Sequence, residues 1–494
     1  MPTIQEILAM CRAGNAQNAY EMARTAMDSF PDDVWVQRGV GWALYYLIKT
    51  DKESANYQSL VAHLEELRTL HLLTVPQDNM IFENVLFKVA GFVRENLSPT
   101  NVETPTRLSA IFAILRNYRF DASDGYSFLL QSFIKCRAWQ EMNDFIDWWD
   151  LNKLLPQDYI PFQMQNGRVV MSKAEQAYIA KARALLRLND ATRIRQFLPM
   201  LESIMNNYPQ MTYPGYFYGK LLLSLGNAQE HALRILLPFA RMKSTEFWVW
   251  QLISEVFVDN PENQLACLLR AVHCRTQENF LGNVRIRLAQ LFIQRNQYEF
   301  AKFQIDKITQ CRLANGWTLP YEVECWIHQP WINTVVSRDC DTIDYQNITN
   351  DILYEGTDSA IAVVTYLNSQ SRNATLVYGW EKRMTKRLRF EVEVGNTLKI
   401  NYVTEQNGTQ KLLCAKKTEL STNLDYVKVI EGTVSKRTNN DFAFLKATCC
   451  DCYISSDLVR KFNLRDNETI RCLVAYDYNR KKEKWNWICL KIIR

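Results

Sequence analysis

The chain has 494 residues, of which 47% are hydrophobic and 22% are charged, and its formal net charge is +5. This composition excludes an intrinsically disordered chain, and the length predicts two to four domains that each bury a core. The longest apolar run, residues 40–48, is too short to cross a bilayer, and the N-terminus lacks the pattern of a signal peptide. We therefore expect a cytoplasmic protein without a membrane partner.

Residues 1–150 are predicted to form an N-terminal α-helical repeat region. Gly14-Asn15 marks a turn, small residues follow at helical spacing at Ala19, Ala23 and Ala26, and Pro31 ends the pattern. Small side chains on one face allow a neighbouring helix to approach closely. This spacing resembles the second half of a tetratricopeptide repeat.

Residues 141–163 join this region to the next. Asp144, Asp147 and Asp150 could form a carboxylate cluster, but we interpret them as the polar edge of a helix end, because no histidine or basic partner is nearby in the sequence. Trp148 and Trp149 are expected to pack between repeats.

Residues 151–312 are predicted to form a second, tetratricopeptide-like helical block. Its turn signals recur every 34 to 37 residues, close to the period of a helix–turn–helix repeat, and an irregular helical bundle is the alternative. The four breaks are Asn189-Asp190, Gly226-Asn227, Asn260-Pro261 and Asn296-Gln297. Stacked helix pairs leave an extended surface, which is expected to bind a protein partner or only to support the domains that follow.

The helical pattern stops in residues 313–350, which contain several Trp and Pro residues and are predicted to form a packed connector. His328 lies in this segment. Only five histidines occur in the chain, and none has the spacing of a metal site, so His328 is interpreted as structural.

From residue 351 the hydrophobic pattern changes to the alternation of short strands. The expected strands are residues 361–368, 374–380, 397–403, 411–417, 428–434, 441–447, 452–455, 469–478 and 484–493. The first four and the last five of these strands form two sets. They predict two small all-β OB-fold barrels, at residues 351–420 and 427–494.

The basic charge is concentrated in this last part. Residues 351–494 contain 24 Lys and Arg against 17 Asp and Glu, whereas the first 350 residues contain 34 against 36. Such asymmetry is typical of a module that binds a polyanion, attached to a neutral scaffold.

The second set of strands carries a family resemblance. Gly432-Thr433-Val434 is followed by the basic pair Lys436 and Arg437, then by Phe442-Ala443-Phe444 and by Tyr453. This arrangement resembles the cold-shock and S1 family of OB-folds. The resemblance implies that Phe442, Phe444 and Tyr453 stack on bases of single-stranded RNA or DNA. Lys436 stands where the cold-shock pattern has a tryptophan, and Ser455 and Ser456 replace its later aromatic positions.

Strand parity gives an independent reason to place the two phenylalanines outside the barrel. Phe442, Phe444 and Lys446 share one face of a strand, and the opposite face carries only Ala and Leu. An uncharged face suits a barrel interior, so the face with the lysine should be outside. The alternative, in which both phenylalanines lie in the core, remains open at this point.

Two basic stretches accompany the predicted barrels. The first contains Lys382, Arg383, Lys386, Arg387 and Arg389, and the second contains Arg480, Lys481, Lys482 and Lys484 beside Trp485 and Trp487. Basic residues interleaved with aromatic ones suit a groove that follows a nucleic-acid backbone and stacks bases. Ordinary solvated loops are the alternative.

Cys449, Cys450 and Cys452 form the densest cysteine cluster of the chain. A tetrahedral zinc site usually takes two spaced pairs of ligands, and the chain has no histidine after position 328. We therefore expect no metal and no cofactor, and we interpret these cysteines as loop and core residues.

Several short motifs precede the predicted barrels in a fixed order: Trp148-Trp149-Asp150, Asp158-Tyr159, the stretch from Asn166 to Leu186, and Pro330-Trp331-Ile332. These motifs and the order of the parts resemble a bacterial family associated with TOTE conflict systems, in which a tetratricopeptide-like region precedes tandem S1/cold-shock-like domains. The resemblance implies a nucleic-acid-sensing or adaptor component of a defence system and assigns no active site.

The sequence therefore predicts a non-enzymatic adaptor that binds single-stranded nucleic acid, RNA more than DNA, while its helices engage a protein partner. Catalysis is not expected, because the chain has no P-loop, nucleophile elbow or Gly-rich dinucleotide turn. The alternative is an interaction scaffold whose barrels do not bind nucleic acid.

Overall fold

The structure, a computed structural model, describes residues 2–226, 229–368, 370–371, 373–388, 390–405, 408–419, 424–437, 439–479 and 483–493. The chain divides into two compact units, Met1–Gln346 and Asn347–Arg494. We call them the helical unit and the β unit. Within the described residues, no helix is both long and apolar enough to span a membrane.

The helical unit consists of helices, short 3₁₀ turns and one small β-hairpin. Its helices are α1 (Ile4–Arg12), α2 (Ala16–Ser29), α3 (Val34–Glu53), α4 (Tyr57–Thr69), α5 (Asn79–Asn96), α6 (Thr104–Leu115), α7 (Asp124–Phe133), α8 (Met142–Trp149), α9 (Lys173–Leu188), α10 (Ala191–Asn207), α11 (Pro214–Ser224), α12 (Gln229–Met242), α13 (Phe247–Val256), α14 (Pro261–Val272), α15 (Gly282–Gln294), α16 (Tyr298–Ala314) and α17 (Tyr321–Ile327). The 3₁₀ turns are Leu151–Lys153, Pro156–Tyr159, Glu278–Phe280 and Pro330–Asn333, and the hairpin pairs β1 (Phe162–Gln163) with β2 (Val169–Val170).

Helices α9 to α16 pack as consecutive pairs, and each predicted break lies inside one of these pairs. Asn227 itself lies outside the described residues. The first break shows the physical cause. Asn189 adopts the left-handed conformation that ends α9, and the Asp190 carboxylate accepts hydrogen bonds from the first free N–H groups of α10. The predicted helix pairs are confirmed.

One hydrophobic core connects the two predicted helical blocks. A contiguous cluster of buried side chains extends from Ile7 on α1 to Ala232 on α12. Trp149 is fully buried and stacks on Tyr126, with ring centroids 4.7 Å apart, and the indole N–H of Trp148 donates to a backbone carbonyl. The tryptophan pair thus packs against α7 and the segment that precedes it.

The aspartates of α8 lie on a polar edge, as predicted, but they do have basic partners. Arg193 donates to Asp144 at 2.7 Å, and Lys181 donates to Asp147 at 2.6 Å. These partners are far away in the sequence and come from α9 and α10. Helix packing therefore supplies the basic partners that the neighbouring sequence lacks.

The segment predicted as a connector packs on the end of the helical array and contains helix α17. Val323 of α17 and Ile332 of the following 3₁₀ turn are buried against Ile305 and Ile308 of α16. His328 Nδ1 lies 2.7 Å from the backbone oxygen of Glu324. This hydrogen bond agrees with a structural role for the histidine.

The β unit begins with helix α18 (Gln346–Leu353) and contains two sheets. The first sheet has strands β3 (Asp358–Asn368), β4 (Asn373–Gly379), β5 (Lys382–Arg387), β6 (Thr397–Thr404) and β7 (Gln410–Thr418), in the antiparallel order β5-β4-β3-β6-β7. It is an open half-barrel.

The second sheet is a closed barrel with the order β10-β12-β11-β8-β9. Its elements are β8 (Val427–Ser435), β9 (Ala443–Lys446), β10 (Asp451–Ile454), α19 (Ser456–Phe462), β11 (Thr469–Asn479) and β12 (Lys484–Ile493). Strands β10 and β12 are parallel and the other pairs are antiparallel. Each segment predicted as a strand overlaps an observed one, because these segments alternate or are rich in β-branched residues, whereas β5 was not predicted.

The predicted fold class, an all-α region followed by two small all-β domains, is confirmed, and the two domains differ in closure: the second is a closed barrel and the first is a half-barrel. Among the described residues, β5 and β7 do not pair, so the first sheet stays open along this seam. Both seam strands are rich in cations: Lys382, Arg383, Lys386 and Arg387 on β5, and Lys411, Lys416 and Lys417 on β7. Repulsion between these edges opposes closure, and lysine-rich edges are common on strands that stay unpaired.

The first basic stretch is thus mainly a strand and not a solvated loop. Met384 in the middle of β5 is buried, which fixes the register of its basic neighbours. The half-barrel packs on the closed barrel through a separate core in which Val363 and Val377 meet Leu473 and Ala475.

Candidate nucleic-acid interface

Three aromatic side chains lie together on the outer surface of the closed barrel. Phe442 precedes β9, Phe444 lies on β9, and Tyr453 lies opposite Phe444 on β10. Their ring centroids are 5.8 Å apart for the two phenylalanines, and 5.6 and 5.9 Å apart for Tyr453 with Phe442 and Phe444. We call these three residues the aromatic platform.

The alternation along β9 explains why the platform faces outward. Ala443 and Leu445 are 1% and 0% exposed and belong to the barrel core, whereas Phe442 and Phe444 are partly exposed and Lys446 is exposed. A small barrel has room inside only for one face of each strand. The outward orientation of the two phenylalanines is confirmed, and the alternative with both of them in the core is wrong.

Basic side chains lie near the platform in sequence and on its strand. Lys436 and Arg437 lie in the loop between β8 and β9, and the backbone N–H of Lys436 donates to Asp466 at 2.8 Å, which anchors the start of that loop. Arg437 is exposed. Lys446 is also exposed and forms an ion pair with Asp451 across the β9–β10 pair.

The β11–β12 hairpin carries a second aromatic group. Tyr476 and Trp487 face each other across the two strands, and Trp485 lies parallel to Tyr476 at 5.9 Å. Trp380 of the half-barrel contacts Tyr476 edge-on at 4.2 Å. Lys428 lies 5.3 Å from the Trp487 ring centroid, a cation–π distance. We call Trp380, Tyr476, Trp485 and Trp487 the hairpin cluster.

The two predicted basic stretches have different roles in the structure. Arg383 of β5 donates to the Tyr478 carbonyl at 2.8 Å and lies 3.4 Å from the Asp477 carboxylate, so its guanidinium links the half-barrel to the hairpin. Lys382 and Arg387 are exposed and Lys386 is partly exposed. Lys484 is exposed at the start of β12. Arg389 and the residues Arg480, Lys481 and Lys482 lie outside the described residues.

The structure therefore brings the platform residues together, but it places the tryptophans in the separate hairpin cluster and the β5 cations on another sheet. Sequence reasoning missed Tyr476, Lys428 and Trp380. The alternation of Tyr476 and Tyr478 opposite Trp485 and Trp487 was a usable signal for the hairpin. No pattern in the sequence indicated Trp380, because only packing between the two sheets brings it to the hairpin cluster.

The cysteines of the closed barrel are loop and core residues, as interpreted. Cys449 and Cys450 lie in the β9–β10 loop with their sulfur atoms 3.6 Å apart, and Cys452, Cys472 and Cys489 are buried in the barrel. Burial raises the pKa of the Cys452 thiol, so it stays protonated at neutral pH. In the described part of the chain, no group of three or more His, Cys, Asp or Glu side chains could hold a metal ion.

The geometry fits the way in which OB-folds bind single strands. The second and third strands of such a barrel, with the loop before the second strand and the loop between the last two, form the usual binding face. Here β9 and β10 carry the platform, and the loop before β9 carries Lys436 and Arg437. Bases can stack on exposed aromatic rings while cations contact the phosphates.

Comparison with known families agrees with this geometry. Residues 428–492 match the family described as S1/CSD-like domain 2 of the TOTE conflict systems, and these residues are the closed barrel. Residues 212–350 match a domain of unknown function, DUF7017, and this match covers α11 to α17 and the start of α18. No curated protein matches the chain. The closed barrel is thus similar to an S1/cold-shock-like domain of the TOTE conflict systems, and it follows a helical region that is similar to DUF7017.

Proposed function

We propose that the protein is a non-enzymatic adaptor of a bacterial conflict system that binds single-stranded nucleic acid, with RNA as the expected form. The observation that carries the proposal is the aromatic platform of Phe442, Phe444 and Tyr453. Three mutually contacting rings on the outside of a small barrel do not contribute to its core, and their faces suit base stacking. The similarity of residues 428–492 to the conflict-system domain supports the biological setting.

Electrostatics supports binding of a polyanion by the same barrel. Arg437 is exposed in the loop before the platform, and Lys484 is exposed on the hairpin. Contacts with phosphates release counterions, so the affinity should fall steeply as salt is raised.

The helical unit would supply the adaptor's second contact, with a protein partner. Its β1–β2 hairpin exposes several large apolar side chains, including Ile160, Phe162 and Val169, which are 64% to 67% exposed. Large apolar side chains grouped on one small hairpin favour a protein contact. This observation also supports the second candidate function, a scaffold whose barrels do not bind nucleic acid.

The test is fluorescence anisotropy of labelled single-stranded RNA and DNA, titrated with the full chain at two salt concentrations. The variant Phe442→Ala/Phe444→Ala/Tyr453→Ala should lose at least about tenfold in affinity, because stacking contributes roughly 1–3 kcal/mol per base. Tyr366→Ala is the matched control, since Tyr366 is an exposed aromatic residue of the half-barrel. Absence of binding to either strand type at low salt would favour the scaffold.

A further inference from the structure

A pocket of about 430 Å³ lies within the helical unit. It is bounded by the segment that follows α7, by one face of α9 and by Tyr213 just before α11. Its volume is within the range of sites for small molecules, roughly 300–1,000 Å³. The pocket is therefore large enough for one small ligand.

The pocket wall is cationic. Lys135, Arg137 and Arg183 line it, and the lining contains no Asp or Glu. In the part of the chain that the structure describes, none of the three cations forms an ion pair. Arg183 instead lies over the ring of Phe217, 5.3 Å from its centroid. Three cations around one cavity without a carboxylate create an electrostatic environment that favours an anion.

Arg183 and Arg137, two of the pocket cations, also repel each other. Burial, followed by the nearby Arg137, lowers the pKa of the Arg183 guanidinium. Burial, followed by Arg94, lowers the pKa of Lys135. The Arg183 guanidinium nevertheless keeps its charge at neutral pH, because the ordinary pKa of arginine lies far above neutrality. A bound anion would relieve this repulsion, which makes its binding favourable.

The remaining wall is apolar and includes one aromatic residue. Ile134, Met142 and Ile179 line the pocket beside Tyr213. Among the described residues, the Tyr213 hydroxyl makes no hydrogen bond, although the backbone N–H of Tyr213 donates to Glu175 at 2.9 Å. A ligand that fits both the cationic wall and the apolar wall has an anionic group at one end and a ring with polar groups at the other.

We propose that this pocket binds a small phosphorylated ligand of the nucleotide class. The phosphate would lie against the guanidinium groups of Arg137 and Arg183, which match the geometry of phosphate oxygens. The base or sugar would lie against Ile179 and Tyr213. The site is on the helical unit and does not depend on nucleic-acid binding by the closed barrel.

The test is isothermal titration calorimetry of the full chain with each of the four 5′-ribonucleoside monophosphates, the matching nucleosides and inorganic phosphate. At least one monophosphate should bind tenfold or more tightly than its nucleoside and than phosphate alone, because only the nucleotide uses both walls. Lys135→Gln/Arg137→Gln and Arg183→Gln should each weaken binding about tenfold or more, since charge-assisted hydrogen bonds are lost.

The controls separate this site from the rest of the protein. Arg195→Gln removes an exposed cation of α10 outside the pocket and should leave the affinity unchanged. The platform variant Phe442→Ala/Phe444→Ala/Tyr453→Ala should also bind the nucleotide normally. If Arg183→Gln fails to fold, the exposed Lys135→Gln/Arg137→Gln variant still gives the answer.

Three results would overturn the proposal. The first is no binding of any monophosphate at millimolar concentration. The second is phosphate binding as tightly as the nucleotides, which would indicate an adventitious ion only. The third is nucleotide affinity unaffected by the Lys135→Gln/Arg137→Gln variant, which would place the binding elsewhere.

Discussion

Asp158 shows how a single residue stabilises the junction between the early and late helices. Its side chain is fully buried and accepts hydrogen bonds from the Ser127 hydroxyl at 2.6 Å, the Leu155 N–H at 3.0 Å and Lys173 at 2.9 Å. Three elements thus meet at one carboxylate. The residue was singled out in the sequence as part of a family resemblance, and its observed contacts are structural.

Replacing Asp158 should therefore cost much more than replacing an exposed aspartate nearby. We expect Asp158→Ala to lower the free energy of unfolding by about 3–5 kcal/mol, because Ser127 and Leu155 lose their acceptor and Lys173 loses its partner. Asp144→Ala, which breaks an ion pair with both side chains roughly half exposed, should cost less than about 1 kcal/mol. Urea unfolding followed by tryptophan fluorescence measures both, and equal losses would refute the assigned role.

The outward orientation of the aromatic platform could be predicted from the individual residues of the sequence. The ion pairs of the α8 aspartates could not. Parity along residues 441–447 requires only the two-residue period of a strand and an uncharged interior. The pair of Asp144 and Arg193 joins residues 49 positions apart. No local pattern reports such a contact, because it depends on how α8 packs against α9 and α10.

Among the secondary-structure elements, β8 approaches the backbone of β9 so closely at one position that only a glycine fits there. A Cβ atom on Gly432 would lie 2.4 Å from the Lys446 backbone oxygen and 2.9 Å from its carbonyl carbon. Backbone cannot move aside as a flexible side chain can. The close approach explains why the Gly-Thr-Val motif begins with glycine in this barrel.

Gly432→Ala should destabilise the closed barrel by about 2 kcal/mol or more, as overpacking against fixed atoms does. Hydrogen–deuterium exchange should become faster in β8 and β9 while the helical unit keeps its protection. Gly282→Ala is the control, since Gly282 begins α15 with no atom within 4 Å of the added Cβ. Unchanged exchange in β8 and β9 of Gly432→Ala would contradict the crossing geometry.

The elements themselves followed from the sequence to different extents. At the first break Asn189 ends α9 and Asp190 caps α10, and at the third break Asn260 caps α14, so these helix boundaries were visible in the local sequence. The open edge of the first sheet was not visible in the local sequence. It depends on two cationic strands, β5 and β7, that lie far apart in the chain and would have to pair at the seam.

At the scale of the whole chain, the boundary between the neutral and the basic part of the sequence lies close to the boundary between the helical unit and the β unit. The predicted neutral part is the helical unit, and the basic part, from residue 351, is nearly the whole of the β unit. The match to DUF7017 ends at residue 350, close to the same boundary. Composition could predict this organisation, whereas the cationic pocket depends on residues from several helices that only the folded helical unit brings together.

The central claim is that Phe444 and its neighbours bind nucleic acid by stacking, and substitution of Phe444 in the full chain tests it most directly. The affinity for a labelled single-stranded RNA would be measured by anisotropy for wild type, Phe444→Tyr and Phe444→Leu. Tyrosine keeps an aromatic face, whereas leucine keeps only apolar volume. We predict near wild-type affinity for Phe444→Tyr and a loss of about 5- to 150-fold for Phe444→Leu, the range expected for one stacked base. Equal affinities of the two variants, or no RNA binding by the wild type, would contradict the account.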